Sequence, residues 1–125
     1  MIIAATSVWI EYLKGNEPVF RRMQTLLENR EIIALEPVFG ELLQGAKNKR
    51  ERQVITDYWK NTPRIDESEL WIVAGLYAGE KKLFAKGVGL IDSYIIVASL
   101  KTNARAWTLD EKLNKVLQSE FINKE

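Results

Sequence analysis

The sequence predicts a three-layer α/β/α domain with a central, mainly parallel sheet. Short apolar runs at residues 2–5, 31–35 and 104–109 have the length and composition of buried strands. Helical stretches separate these runs, and strands that alternate with helices favour parallel pairing. The length of 125 residues fits a single domain, which we expect to span residues 1–125.

The first half of the chain predicts two strands and four helices, bounded by residues that start or stop helices. Gly15 and Gly45 follow periodic apolar stretches as breakers, and Pro18 and Pro37 occupy tolerated early positions. The helix before the connector at 62–66 is expected to turn Val54 inward. The predicted elements are a strand at 2–5, a helix at 7–14, a helix at 16–30, a strand at 31–35, a helix at 37–45 and a charged helix at 47–61.

The second half predicts three helices, a third strand and an edge strand. Asp66 or Ser68 is a plausible cap for the first of these helices, Asp92-Ser93 for the second, and Asp110 for the third. The predicted elements are a helix at 67–86, a turn or short strand at 87–91, a helix at 92–101, a strand at 104–109, a helix from 111 onwards and an edge strand at 121–125.

Composition limits the available chemistry and the expected location. The chain has neither His nor Cys, which removes the imidazole base, thiolates and the ligands of most zinc sites. Net charge is +1, so an RNA or another polyanion would need a local basic patch. No signal peptide or apolar run of roughly 20 residues is visible. We therefore expect a cytoplasmic protein with no membrane partner.

Three carboxylates follow strands or begin helices on this map: Glu41, Asp92 and Asp110. In a parallel sheet these junctions meet at the carboxyl edge, which also includes position 5. Two such charges about 4 Å apart repel by about 4 kcal/mol at an effective dielectric constant near 20. Protonation or a divalent cation relieves that repulsion, and oxygen ligands alone favour Mg²⁺ or Mn²⁺.

Each acid also has a simpler interpretation on its own. Asp92 and Asp110 are acceptable helix caps, and Glu41 is acceptable as a solvated side chain. The prediction of a site therefore rests on their joint placement. Hydroxyls expected at the same rim, where they could bond a carboxylate or a phosphate oxygen or simply cap helices, are Thr6, Ser7, Ser93 and Thr108.

The sequence resembles the PIN-domain ribonucleases, and more closely the VapC-type toxins of toxin–antitoxin pairs. The resemblance covers nearly the whole chain, and the segments that carry it are IIAATSVWIEYLKG, PVFGELLQGA, GVGLIDSYIIVASL and ARAWTLDEKL. It implies a metal-dependent endoribonuclease whose Asp92 and residue 5 hold the main Mg²⁺ or Mn²⁺. Asp110 and Glu41 would then bind the metal directly, through water, or at a second ion.

The chain departs from this family at Ala5, where the family has Asp. One explanation is a deliberate Asp→Ala substitution that silences a toxic nuclease; the other is natural loss of the ligand. The intact TSVWIEYL that follows and the three remaining acids favour the first explanation. A genomic codon for Asp at position 5 would confirm it, and one for Ala would refute it. We expect the chain with Ala5 to be nearly inactive.

The resemblance also implies partners. These are an RNA substrate with transfer RNA as the leading guess, an antitoxin that blocks the acidic site, a second copy in a homodimer, and DNA only through the antitoxin. The densest basic run is a candidate RNA-binding surface, although a solvated helix face explains the run as a whole slightly better; its residues are Lys47, Lys49, Arg50 and Arg52. Arg21 and Arg22 form a second candidate.

Two other functions compete with the nuclease. A non-catalytic PIN scaffold that binds RNA or protein would account for a natural Ala5. A receiver or a phosphatase would also have acids at the carboxyl edge of a sheet. Receivers need paired acids after the first strand, and phosphatases of this kind begin with Asp-x-Asp. The MIIAATS start has neither pattern.

Overall fold

The computed structural model describes residues 1–119, so the edge strand predicted at 121–125 lies outside the described residues. Three short strands alternate with helices along the chain. The strands are β1 (Ile2–Ala4), β2 (Ile32–Ile33) and β3 (Arg105–Trp107). The helices are α1 (Thr6–Leu13), α2 (Val19–Glu28), α3 (Glu36–Gln44), α4 (Lys49–Asn61), α5 (Leu70–Lys81), α6 (Leu90–Thr102) and α7 (Glu111–Ser119), with a 3₁₀ turn at Phe84–Lys86.

The sheet is parallel throughout, in the order β2-β1-β3. Ile3 of the central strand is in register with Ile33 on one side and with Ala106 on the other. The predicted α/β/α fold with a parallel sheet is therefore confirmed. Because all three strands run the same way, the residues that follow them lie at one edge, the carboxyl edge.

The core forms where the strands meet α1, α3 and α6. The strand side chains of Ile3, Ile32 and Ala106 are fully buried, as expected for a parallel sheet covered on both faces. Trp9 of α1 is also fully buried and makes edge-on contacts with Phe39 at a ring separation of 4.9 Å. Within residues 1–119, no helix is both long enough and apolar enough to span a membrane.

The start of α6 differs from the prediction in a way that affects the site. Asp92-Ser93 was expected to cap this helix, but Gly89 is its N-cap. The Gly89 carbonyl already accepts a hydrogen bond from the Ser93 amide at 3.0 Å, so the helix begins at Leu90. Asp92 and Ser93 therefore lie inside the first turn, and the Asp92 carboxylate is not used as a cap.

The helix predicted over 67–86 is also shorter, because α5 covers only Leu70–Lys81. Lys82 adopts the left-handed conformation, with φ of 53°, and ends the helix. The next residue, Leu83, turns back into the core, is fully buried, and donates its amide proton to the Ala78 carbonyl at 3.0 Å. The gain from burying Leu83 explains why the chain accepts an unfavourable backbone conformation in a residue other than glycine.

Candidate active site

Asp92 lies in the first turn of α6, half-buried at the carboxyl edge of the sheet. Burial, followed by the charges of Asp110 and Glu41, raises the pKa of its carboxyl to about 6. Its carboxylate makes no hydrogen bond or ion pair with any residue from 1 to 119. The electrostatic coupling places the three predicted acids in one neighbourhood, although they are far apart in sequence.

Asp110 follows β3 and caps α7. Its Oδ1 accepts a hydrogen bond from the Leu113 amide at 2.9 Å, and its own amide donates to Thr108 Oγ1 at 3.1 Å. The simpler interpretation of Asp110 as a helix cap is therefore correct. The cap does not cancel its charge, because Asp110 still raises the pKa of Asp92. One residue thus both starts a helix and contributes to the acidic rim.

Glu41 lies on α3 and is held by the first residue of α1. Thr6 Oγ1 donates a hydrogen bond to Glu41 Oε1 at 2.5 Å, across 35 residues of sequence. Thr6 directly follows Ala5, so this bond fixes the Glu41 side chain beside the end of β1. A role for Glu41 as an ordinary solvated side chain does not account for this contact.

Ala5 lies between the carboxyl end of β1 and α1, and its backbone is fully engaged. Its amide donates to the Trp107 carbonyl at 2.9 Å, and its carbonyl accepts from the amides of Val8 and Trp9 at 3.1 and 3.2 Å. Ala5 is the N-cap of α1, without a side chain that can cap it. The side chain of any larger residue at position 5 would therefore extend from a fixed backbone position at the same edge as the acids.

The four predicted hydroxyls divide into two groups. Those of Thr6, Ser7 and Thr108 bond residues near the rim, whereas that of Ser93 bonds within α6. Ser7 Oγ accepts a hydrogen bond from the Leu109 amide at 3.2 Å, which ties α1 to the segment after β3. Thr108 and Thr6 brace Asp110 and Glu41 as described. Ser93 is fully buried, and its hydroxyl donates to the Gly89 carbonyl at 3.0 Å, so this hydroxyl is used within α6.

The three carboxylates are the kind of ligand that a hard divalent cation prefers, but they are too few and too far apart to form a complete site. All three acids present oxygen ligands, and Asp92 is desolvated and repelled by its neighbours. Among residues 1–119, no group of three or more acids is close enough together to form a ready-made metal site. A fourth carboxylate at position 5 would add a ligand from the end of β1.

The predicted basic surfaces are solvent-exposed, with differing local contacts. Lys47, Lys49, Arg50 and Arg52 all project from the segment before α4 and its first turn. Arg21 forms an ion pair with Glu17 at 3.3 Å. Arg22 lies over the ring of Trp107, 5.4 Å from its centroid. A cavity of about 530 Å³ lies elsewhere, between Trp59, Arg64 and Glu67, and none of the rim acids lines it.

The parallel sheet with acids at its carboxyl edge defines the class of this protein. Residues 2–117 match the PIN domain family, and the chain belongs to that family. Ribonuclease VapC32 of Mycobacterium tuberculosis, in strains CDC 1551 / Oshkosh and ATCC 25618 / H37Rv, is 30% identical over 117 residues. The match covers 90% of this chain and 87% of each relative, which makes this chain a VapC-type PIN domain.

Proposed function

We propose that this chain is a Mg²⁺- or Mn²⁺-dependent endoribonuclease toxin of a toxin–antitoxin pair, with one ligand missing at Ala5. The observation that carries the proposal is the half-buried Asp92 carboxylate. It is repelled by Asp110 and Glu41 and has no bonding partner in the described part of the chain. A carboxylate in that state is costly to keep unless a cation or a proton neutralises it.

In the proposed site, Asp92 and an Asp at position 5 hold the main cation, and Asp110 and Glu41 complete its surroundings. A bound Mg²⁺ or Mn²⁺ would supply an activated water and offset charge on the reacting phosphate. The protein's own contribution is orientation. Thr6 holds Glu41, and Ser7 and Thr108 fix the backbone that carries Asp110.

The N-cap role of position 5 supports an original Asp there. Asp is among the best N-cap residues and Ala is among the poorest, with a difference of about 1 kcal/mol. Ala5 therefore gives up both a helix cap and a metal ligand, while Thr6 and Ser7 keep their contacts. This combination fits a single Asp→Ala change in an otherwise preserved site.

The test is a cleavage assay on three purified proteins: the chain with Ala5, its Ala5→Asp variant, and Ala5→Asp combined with Asp92→Asn. Each is incubated with total RNA and Mg²⁺ or Mn²⁺, with parallel samples in EDTA. Co-expression with an antitoxin protects the host from the Asp variant. We expect cleavage only by Ala5→Asp and only with metal. No cleavage by any of the three would remove the proposed catalytic roles.

The alternative is a non-catalytic PIN scaffold that binds RNA or a protein partner, and Ala5 is the observation that favours it. It predicts that Ala5→Asp binds RNA without cutting it. The remaining proposals follow the family: a cytoplasmic toxin with RNA as substrate, transfer RNA first among the RNAs to test, an antitoxin partner, and a homodimer.

A further inference from the structure

Glu67 lies in the segment between α4 and α5, and its carboxylate bonds two other helices. The amide of Glu36, the first residue of α3, donates to Glu67 Oε2 at 3.0 Å and to Oε1 at 3.1 Å. The hydroxyl of Tyr94, on α6, donates to Oε1 at 2.6 Å. One side chain therefore connects α3 to α6, although its partners are 31 and 27 residues away in sequence.

The two connected helices carry two of the three rim acids. Glu41 follows Glu36 on α3, and Asp92 precedes Tyr94 in the first turns of α6. The two helices also contact each other directly. Two carboxylates can share a divalent cation only at a set distance, because the bonds to the ion are short, about 2.1 Å for Mg²⁺. A bond that sets the separation of α3 and α6 therefore bears on how well both acids can reach one ion.

The segment that carries Glu67 is itself held on both sides. The carbonyl of Pro63 accepts a hydrogen bond at 2.8 Å from the amide of Ala34, which follows β2. Near the end of α6, Lys101 Nζ donates to the carbonyl of Asp66 at 2.7 Å. The backbone beside Glu67 is thus bonded both to the chain that leads into α3 and to α6, so its carboxylate extends from a fixed base.

The groups in this link favour a role in position over a role in stability. Burial and the bond with Glu67 raise the pKa of the Tyr94 hydroxyl, which therefore stays protonated and donates. Burial also raises the pKa of the Glu67 carboxyl, although the bonds from Tyr94 and the Glu36 amide oppose that rise. The half-buried carboxylate thus loses hydration that its bonds only partly replace.

We propose that Glu67 is a positioning residue of the acidic site, which sets the separation of α3 and α6 at which Glu41 and Asp92 share a divalent cation. Glu67 bonds neither of these acids and acts through the Glu36 amide and the Tyr94 hydroxyl. This inference deepens the proposed nuclease function and rests on it for the identity of the bound ion.

Three variants separate this link from its surroundings. Glu67→Met removes both accepting oxygens at nearly constant volume, and Tyr94→Phe removes the hydroxyl but keeps the buried ring. The matched control is Glu69→Met, the same change at an exposed glutamate whose side chain makes no hydrogen bond or ion pair within residues 1–119. Circular dichroism verifies that each variant is folded at the temperature of the measurements.

The first measurement needs no metal and uses the Ala5 protein. Because the chain has no Cys, Leu43→Cys on α3 and Leu100→Cys on α6 accept one spin label each at exposed positions. Pulsed electron paramagnetic resonance then gives the distance between the labels. We expect Glu67→Met and Tyr94→Phe to widen the distance distribution, and Glu69→Met to keep that of the parent. A residue that only stabilises the fold would leave the distribution unchanged below the Tm.

The second measurement is calorimetric titration with Mn²⁺ in the Ala5→Asp background. We expect Glu67→Met to weaken Mn²⁺ binding about tenfold, the lower end of the cost of losing an outer partner of a metal site. Tyr94→Phe should weaken binding in the same direction, and Glu69→Met should not change it. Unchanged Mn²⁺ affinity in Glu67→Met, or an equal loss in Glu69→Met, would overturn the inference.

The two measurements separate this inference from the proposed function. If Ala5→Asp binds Mn²⁺ and cuts RNA while Glu67→Met changes neither the distance distribution nor the affinity, the inference fails and the nuclease stands. If Ala5→Asp neither binds Mn²⁺ nor cuts RNA, the nuclease fails. The distance measurement alone then decides whether Glu67 sets the separation of α3 and α6.

Discussion

At the scale of single residues, Asp92 shows how position in a helix changes the role of a carboxylate. The sequence alone leaves it either a cap or a ligand, because Asp followed by an apolar helix is typical of both. In the structure Gly89 takes the cap position, and Asp92 is carried one turn inward. Its charge is then neither hydrogen-bonded nor fully solvated, which raises its pKa to about 6.

The raised pKa of Asp92 predicts that its ionisation destabilises the metal-free fold. The folded state binds the Asp92 proton more tightly than the unfolded chain, whose Asp pKa is 3.8. Stability is therefore lost as pH rises from about 4 through about 6, by about 1–2 kcal/mol after allowance for partial exposure.

Asp92→Asn removes this cost. We expect a higher Tm than the parent near pH 7 in EDTA, with a difference that shrinks to nothing near pH 4. Thermal unfolding by circular dichroism across this range measures it. A difference independent of pH would contradict the account of the Asp92 charge.

Because Asp110 is both a helix cap and a charge at the rim, we expect two substitutions at this position to differ in their effect on stability. Asp110→Ala removes both the charge and the cap to the Leu113 amide, whereas Asp110→Asn keeps an oxygen that can cap. We expect Asp110→Ala to be about 1 kcal/mol less stable than Asp110→Asn in urea unfolding. Equal stability of the two variants would show that the cap contributes nothing.

At the scale of elements, the type of each helix and strand was predictable, but several boundaries were not. Apolar runs identified the three strands of residues 1–119, because buried parallel strands are apolar on both faces. The end of α5 could not be predicted, since a left-handed lysine has no sequence signal and depends on the burial of Leu83. Val54 was expected inward on α4, but it is 41% exposed, because Ile55 takes the buried position.

Helix α5 presents an apolar surface to solvent that no other part of residues 1–119 covers. No charged residue occurs between Leu70 and Gly79, and Ile72 and Leu76 are each 67% exposed. Exposed apolar surface of this kind marks association sites. Acidic residues precede the helix and lysines follow it, so two antiparallel copies would place opposite charges together. This surface is the part of the molecule that best supports the proposed homodimer.

The proposed dimer through α5 predicts that Leu76→Glu weakens self-association at least tenfold. A charge in an apolar contact between two copies of α5 would be present twice and would lose its hydration. Sedimentation equilibrium across a range of protein concentrations measures the change. Val54→Glu is the matched control, because Val54 is an exposed apolar residue on α4 rather than α5. Equal self-association of both variants and the parent would exclude α5 as the interface.

At the scale of the whole molecule, the parallel sheet explains why the common location of the three acids was predictable. Asp92, Asp110 and Glu41 were assigned to one edge from the alternation of strands and helices alone, and their electrostatic coupling agrees with that placement. The contacts that brace them were not predictable. The Thr6–Glu41 bond and the Leu109–Ser7 bond join residues distant in sequence, with no periodic pattern to reveal them.

We propose that an Asp at position 5 completes a divalent-cation site with Asp92 and its neighbours. Calorimetric titration with Mn²⁺ tests this directly, using the Ala5 parent, Ala5→Asp, and Ala5→Asp with Asp92→Asn. We expect Ala5→Asp to bind Mn²⁺ at least tenfold more tightly than the parent, and Asp92→Asn to remove that gain. Equal Mn²⁺ affinity in all three proteins would contradict it.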